Sequence, residues 1–360
     1  MVSQKRNSSF ELIKILAIVC IIICHSIPTE RVEYHYATSD LWLFIIILFR
    51  QMGSIGNAIF LVASTWFLVD NDKVNFPKIM QMIADNQLIS LLFLGALWFL
   101  YDISLKTAVK QVFPFLFSTL WYITCYVLYY CLHGIINRGL KGIRVNPKLL
   151  VFIIVVLTLI AFVLGGLYFN ELLIFLMIHS FTWFIKQILS KQSDKDIKKF
   201  GLYSLLLGVS GWLIGAVVFN CVGVRFSFIG EKLSYWNRFY NPFILAIAYG
   251  LMLIASQIHI YSEKINKISG LSLFIYMITG NQLLRFYTDN NLYDLVTDKC
   301  GASTSLCAVF VVVYAVIKLL FGIGLSVIYV CSLGKLIKYL TVKECSYIFD
   351  KILQKFPNLS

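Results

Sequence analysis

Charge is what this chain has least of. Only 14% of its 360 residues are Asp, Glu, Lys or Arg, roughly half the share usual in soluble domains. Acidic residues are the scarcest, 18 against 31 Lys and Arg, and there are only six prolines and five histidines. Such a shortage excludes a cytosolic enzyme, because a water-facing surface has to be built largely from polar side chains. Chemical motifs are missing as well. There is no phosphate-cradling glycine loop, no HExxH, no GxSxG and no appended soluble domain, and the nine cysteines follow neither metal nor disulfide spacing. No metal site is therefore expected. The first apolar run lacks a small-residue cleavage site and is followed by further runs, so it is expected to stay in place rather than be removed as a signal peptide.

What is present is apolar. Hydrophobic residues make up 59% of the chain and the mean hydropathy is +0.80. A bilayer core of ~30 Å needs about 20 such residues in a helix, and ten runs of that kind alternate with polar segments. They lie at roughly Phe10 to Ile27, Leu41 to Val69, Asn86 to Tyr101, Thr119 to Asn137, Leu149 to Leu167, Leu172 to Leu189, Gly201 to Asn220, Pro242 to Ile258, Ile268 to Tyr287 and Ser305 to Leu333. The second is long for one span, and Gln51 to Ser54 interrupt it, so its first third is expected to be interfacial or re-entrant. Gly211 and Gly215 form a small-xxx-small pair suited to helix packing.

The fold expected is an all-α integral membrane protein of about ten transmembrane helices, at a cell membrane. Residues 1–333 would form the membrane domain and 334–360 a cytoplasmic amphipathic tail. With the N-terminus inside, 20 of the 31 basic residues fall in cytoplasmic segments and seven in outer ones. The net charge of +13 divides into +12 inside, −2 outside and +3 within the spans. The basic balance is thus an orientation signal, with both termini cytoplasmic, and no nucleic-acid partner follows from it.

With Lys186, near the end of its run, counted among the cytoplasmic residues, four cations remain inside the spans: Lys14, Arg50, Arg285 and Lys318. Ionisable groups there cost at least ~2.5 to 3.5 kcal/mol near the centre, which makes each a candidate for function. Lys14 and His25 are 11 residues apart, about 20° from the same helical face and ~16 Å along the axis. Glu11 stands three residues before Lys14, within pairing reach. Two readings of this stripe follow. Lys14 snorkels to the headgroups and His25 closes the helix, or the stripe serves a long, thin ligand such as acyl-coenzyme A, with Lys14 on the donor and His25 as the base for a sugar hydroxyl. Lys318 has no evident partner beyond Glu11 or a backbone carbonyl. Trp121 and Tyr122 suit either a sugar-stacking platform or an interfacial aromatic belt. His133, His179 and His259 read as packing or headgroup residues.

Several segments together resemble the membrane-bound acyltransferase 3 family. Glu11-Leu12-Ile13-Lys14 followed by His25 is similar to its first-span pattern of an acid, a basic residue, ten residues and His. Phe60-Leu61-Val62-Ala63-Ser64-Thr65-Trp66-Phe67-Leu68 resembles its second-span signature. Phe113-Pro114 with Leu120-Trp121-Tyr122-Ile123 and Tyr126 to Tyr130 resembles its Pro, Trp and Tyr segment, and Ile268 to Arg285 is similar to the ninth span of the subgroup that modifies surface polysaccharides. The resemblance covers Glu11 to about Arg285 and includes the span count. It implies an O-acyltransferase that takes acetyl from cytoplasmic acetyl-CoA to hydroxyls of a surface or lipid-linked glycan, with the bilayer as its other partner. It assigns His25 as the essential histidine and Lys14, with Glu11, to the acyl donor. Ser64, Trp121 and Tyr122 would shape the site.

The chain also departs from that pattern. Thr65 replaces a glycine, Thr279 stands where a second histidine is usual, and an arginine cluster after the second span is reduced to Lys73 and Lys78, which would meet the donor. Threonine cannot titrate near neutral pH, so Thr279 offers only a hydroxyl. Asn281 and Arg285, four residues apart, would either orient an anionic or hydroxyl-rich ligand or pair in packing. Two other functions stay open from the residues: a transporter or flippase with Lys14, Arg285 and Lys318 along its path, although no internal repeat is found, and an inactive family member. The acceptor loops, such as Val222 to Asn241 and Thr288 to Thr304, carry no readable motif.

Overall fold

A computed structural model describes residues 6–28, 37–142, 170–226, 229, 236–301 and 305–343. It is all-helical, with no strand among the described residues. Six helices are long and apolar enough to cross a membrane. They are α1 (Ser8–His25), α2 (Leu41–Leu68), α3 (Phe76–Trp98), α6 (Asn170–Leu189, apolar from Glu171), α7 (Asp194–Arg225) and α12 (Ser305–Cys331). Between them stand α4 (Leu105–Val112), α5 (Trp121–Gly142), α8 (Pro242–Ser256), α9 (Glu263–Gly270), α10 (Ser272–Thr279), a π-helical turn (Leu284–Asp289) and α11 (Asn290–Cys300). The expected span from Leu149 to Leu167 lies outside the described residues, as does most of the tail, of which 334–343 is helical.

Capping explains most of the helix starts. Asn7, Asp40, Asn75 and Ser193 each accept a hydrogen bond from a backbone N–H in the first turn of α1, α2, α3 and α7, satisfying donors that have no partner inside the helix. Asn75 followed by Pro77 in the first turn starts α3 at Phe76, ten residues before the apolar run begins. α1 stops at His25, just ahead of Pro28, which disfavours helix in the residue before it.

α2 is one unbroken helix of 28 residues, ~42 Å long, which corrects the expected interruption at Gln51 to Ser54. Those polar residues break nothing because they turn inward: Arg50, Gln51 and Gly53 are buried. α1 and α2 run antiparallel, with the Phe10 and Phe67 rings 5.1 Å apart at one end and Cys24 against Gly53 at the other. Between them Gly56 lets the backbones touch. A methyl group there would sit 2.6 Å from the Ala17 carbonyl oxygen. α7 and α8 approach in the same way through Gly208 and Gly250, where an added carbon would meet backbone at 2.7 Å. Gly211 and Gly215 leave room instead for the rings of Phe243 and Trp236.

The turn after α2 is clamped from two sides. Asn137 donates to the carbonyls of Leu68 (2.8 Å) and Asn71 (3.1 Å), and Lys186 donates to that of Trp66 (2.8 Å) and pairs with Asp70. These bonds occupy carbonyls that the helix end leaves open. In the same turn the Lys141 ammonium, bonded at 2.5 Å, holds the half-buried Asp72 carboxyl below its ordinary range.

Gly56→Ala is expected to lower stability by about 1–3 kcal/mol through overpacking. Gly95→Ala, with nothing within 4 Å of the new carbon, should be neutral or slightly stabilising. Unfolding temperatures of the two detergent-solubilised variants check both.

Candidate functional site

The C-terminal end of α1 is where charge collects. A helix leaves its last carbonyls without internal partners and carries partial negative charge there. Here two cations from other helices take them. Arg50 of α2 donates Nη1 to the Cys24 carbonyl and to Cys24 Sγ, both at 2.9 Å, and Lys318 of α12 donates Nζ to the His25 carbonyl at 3.2 Å. Lys318 is in turn paired with Asp289, which also accepts from the Tyr314 hydroxyl at 2.6 Å. The expected partner of Lys318, a carbonyl or Glu11, is thus the His25 carbonyl together with Asp289. Asp289 belongs to the expected acceptor loop Thr288 to Thr304, yet it is 1% exposed.

The chain from Ile268 to Tyr287 is not one helix. It is divided at Leu271, again at Gly280 and Asn281, and then winds as the π-helical turn. Asn281 Oδ1 accepts from the N–H of Leu283 (3.0 Å) and of Leu284 (3.4 Å), restarting the helix as a capping side chain does. Asn281 and Arg285 stay one turn apart, the Arg285 N–H donating to the Asn281 carbonyl at 3.0 Å, with Asn281 at the start of the new segment rather than inside a continuous helix. The break has a geometric effect. A carbon added at Gly280 would lie 3.4 Å from His25 Cε1, so the chain can pass close to the imidazole, and the wide π turn, a geometry common at functional sites, brings Arg285 beside it.

His25 and Arg285 line two adjoining cavities. The larger, about 400 Å³, is also bordered by Arg50, Arg238, Glu171 and Trp121. The smaller, about 220 Å³, is bordered by Thr119, Gln282, Asp289 and Asn290. Among the described residues His25 Nδ1 has no hydrogen-bond partner, an unusual condition for a buried ring nitrogen. Tyr276 stands 6.2 Å away, ring to ring. On the loop leading into α5, Ser118 adopts a positive φ of 51°, uncommon for a residue with a side chain, as the chain turns to present Thr119 and Trp121 to the two cavities.

At the other end of α1, Glu11 and Lys14 meet as expected, at 3.2 Å. Glu11 also pairs with Arg6 (2.7 Å) and accepts from Ser269 Oγ (2.5 Å). Lys14 lies over the Phe67 ring at 5.7 Å, and Lys78 is near enough for its charge to act on Lys14 while resting on Tyr130 at 5.6 Å. Lys73 is exposed on the turn after α2. The stripe between Lys14 and His25 is not an open slot. Ala17 and Ile21 are packed against Gly56, so a thin ligand cannot lie along it in this arrangement.

The remaining predicted residues divide. Trp121 faces the larger cavity, whereas Tyr122 is buried in an aromatic cluster with Tyr126, Phe175 and Tyr276. Ser64 bonds back to the Phe60 carbonyl (2.8 Å). Thr65, where a glycine was expected to allow close approach, instead bridges helices: its hydroxyl meets Thr182 at 2.9 Å, which meets Tyr249 at 2.7 Å. Thr279 donates to the Ile275 carbonyl (2.7 Å) and packs against Gly322, away from both cavities. His133 and His179 are buried between helices, His133 with Nδ1 on the Tyr130 carbonyl at 2.5 Å. Asn137 uses both amide hydrogens on carbonyls, so its oxygen accepts from His179 Nε2 (2.7 Å), leaving Nδ1 for the Tyr129 hydroxyl (2.6 Å).

Sequence reasoning missed Asp289, Glu171, Arg238 and Asn57 at the cavities, and Asp85, which lies just before the third apolar run and is buried and bonded to Tyr329 at 2.7 Å. Asp289 was findable from its place four residues after Arg285; the others carry no local signal. No group of three or more metal-ligating side chains occurs among the described residues. Compared with known protein families, characterised proteins and solved structures, the chain matches none of them.

Asp289→Asn leaves the Lys318 ammonium buried without its counter-charge and is expected to cost about 3–5 kcal/mol. Converting both residues to apolar ones, Lys318→Met with Asp289→Leu, should recover most of that stability while freeing the His25 carbonyl. Thermal unfolding of the single and double variants measures the difference.

Proposed function

We propose that this protein is an integral membrane O-acyltransferase that moves an acyl group, acetyl by resemblance, from acetyl-CoA to a hydroxyl of a surface or lipid-linked glycan. What carries the reading is His25: an imidazole whose Nδ1 has no partner among the described residues, set in a polar cavity that also holds Arg285 and Trp121. The resemblance of four segments to the acyltransferase 3 family supports it. In this reading the bundle crosses the membrane ten times with both termini cytoplasmic. The Arg6, Lys14 and Lys78 end of the bundle, with Glu11, meets the donor's phosphates.

The chemistry follows from the placement. The acceptor hydroxyl enters the cavity and gives its proton to His25 as its oxygen attacks the thioester carbonyl. The oxyanion that develops is stabilised by the neighbouring guanidinium of Arg285. Collapse breaks the carbon–sulfur bond, and the departing coenzyme A thiolate takes the proton from the imidazolium. Because the Lys14 to His25 stripe is packed, the acyl group reaches His25 by another route or after α1 and α2 separate.

A transport path through Lys14, Arg285 and Lys318 is less well supported. Lys318 is neutralised by Asp289 and borders neither cavity, and Lys14 is separated from Arg285 by the packed middle of α1. His25→Ala is expected to lower acyl transfer by at least about 100-fold while the protein still inserts and accumulates. Labelled acetyl-CoA with purified protein, followed by O-acetyl analysis of surface glycans, is the measurement; unchanged acetylation overturns the reading.

A further inference from the structure

α6 and α7 are joined by the short turn Ser190 to Ser193, yet they do not pack along each other. α6 lies on α2 and α5, and α7 lies on α8. Between the two diverging helices is a wedge of about 560 Å³, within the size range of sites that hold small ligands. Its walls are almost wholly apolar, built from Phe181, Ile185 and Ile188 of α6 and from Phe200 and Tyr203 of α7. It is separate from the two cavities at His25. An apolar gap between helices that cross a bilayer faces hydrocarbon rather than water, and an acyl chain is what hydrocarbon has to put into it.

The rim of the wedge is polar and carries charge of mainly one sign. Gln192, Asp196 and Lys199 border it at the turn, and from Lys191 to Lys199 there are four lysines against two aspartates. Both aspartates stand in the first turn of α7, where a carboxylate answers the partial positive charge of the helix start, and Asp196 also accepts from Ser193 Oγ at 2.6 Å. Lys195 and Lys199 are exposed and four residues apart, on one face of α7. The Lys199 ammonium lies over the Tyr203 ring at 5.7 Å, and both residues border the wedge. The apolar part of α7 begins directly after them, at Phe200, so these ammonium groups stand where hydrocarbon gives way to headgroups. Basic pockets between membrane helices at that level attract anionic lipid headgroups.

We propose that the wedge between α6 and α7 holds a phospholipid with a net negative headgroup, its acyl chain between Ile185, Ile188 and Phe200 and its phosphate on Lys195 and Lys199. The site goes beyond the transferase reading and does not depend on it. By filling the gap the lipid braces α6, which carries Glu171 to the larger cavity.

The test titrates the full-length protein in detergent with phosphatidylglycerol and with phosphatidylcholine of the same chains. Bound lipid is counted by native mass spectrometry, beside the shift in unfolding temperature. Phosphatidylglycerol should bind about tenfold or more tightly and raise the unfolding temperature, with the preference shrinking as salt rises. Lys195→Gln with Lys199→Gln should remove most of that preference, whereas Lys335→Gln with Lys338→Gln, an equal loss of charge in the tail, should leave it. Ile188→Asp, at a position already 40% exposed, should weaken binding of both lipids in a protein that still folds. Glycerol 3-phosphate, a headgroup without chains, should show no detectable binding. Equal binding of the two phospholipids, a preference that survives the Lys195 and Lys199 changes or is lost equally with the tail pair, undiminished binding in Ile188→Asp, or glycerol 3-phosphate binding as tightly as phosphatidylglycerol overturns the proposal. So does the absence of bound lipid, in which case a monomeric mass assigns the wedge to another segment of this chain and a dimeric mass to a second copy.

Discussion

The last two carbonyls of α1 each receive a cation from another helix, and the arrangement around His25 depends on that. Helix ends inside an apolar bundle need partners from elsewhere in the fold, because little water is there to supply them. Arg50 serves the Cys24 carbonyl and Lys318 the His25 carbonyl. Lys318 can be buried only because Asp289 neutralises it, and Asp289 belongs to the π-helical turn that also carries Arg285. One chain of charges thus connects α2, α1, α12 and the π turn. The imidazole, the guanidinium and the cavity between them are held in register by the same contacts that satisfy the helix end.

Packing imposes a second condition. α1 and α2 touch at backbone distance through Gly56, which closes the stripe between Lys14 and His25 and separates the bundle into two polar ends. One end holds Glu11 with Arg6 and Lys14; the other holds His25 with Arg50 and Arg285. In the transferase reading the donor's phosphates and the acceptor's hydroxyl occupy these two ends, and the acyl group has to cross a region that is solid in this arrangement. Passage therefore involves another path or a movement of α1 against α2. The hydroxyl chain from Thr65 through Thr182 to Tyr249 ties the end of α2 to α6 and α8, so a separation would be expected nearer the Gly56 contact than there.

Much of the bundle was legible because apolar length and helical spacing are local properties. The first apolar run, read as Phe10 to Ile27 and found as the helix Ser8–His25, the Glu11–Lys14 pair and the candidacy of His25 can be read from one turn to the next along one helix. Reading failed where a neighbour decided the outcome. Gln51 to Ser54 look like a break, yet α2 continues because those residues face α1 and the cavity rather than lipid. Ile268 to Tyr287 look like one span, yet the chain divides where Gly280 passes His25 and Asn281 caps a new start. Tyr122 and Trp121 are adjacent and chemically alike, but a helix sends them different ways, one into the core and one into the cavity.

The amino-acid sequence by itself determined an apolar helical bundle, its cationic bias, most helix starts through their capping side chains, and the meeting of Glu11 with Lys14, since each depends on residues within a few positions of one another. Only the tertiary structure decided that Lys318 pairs with Asp289, that Arg50, Arg238 and Arg285 share a cavity with His25, and that the middle of α1 is closed. Those residues lie tens to hundreds of positions apart. Their meeting depends on which helix faces pack together, and hydrophobic spacing along a single helix does not name its neighbour.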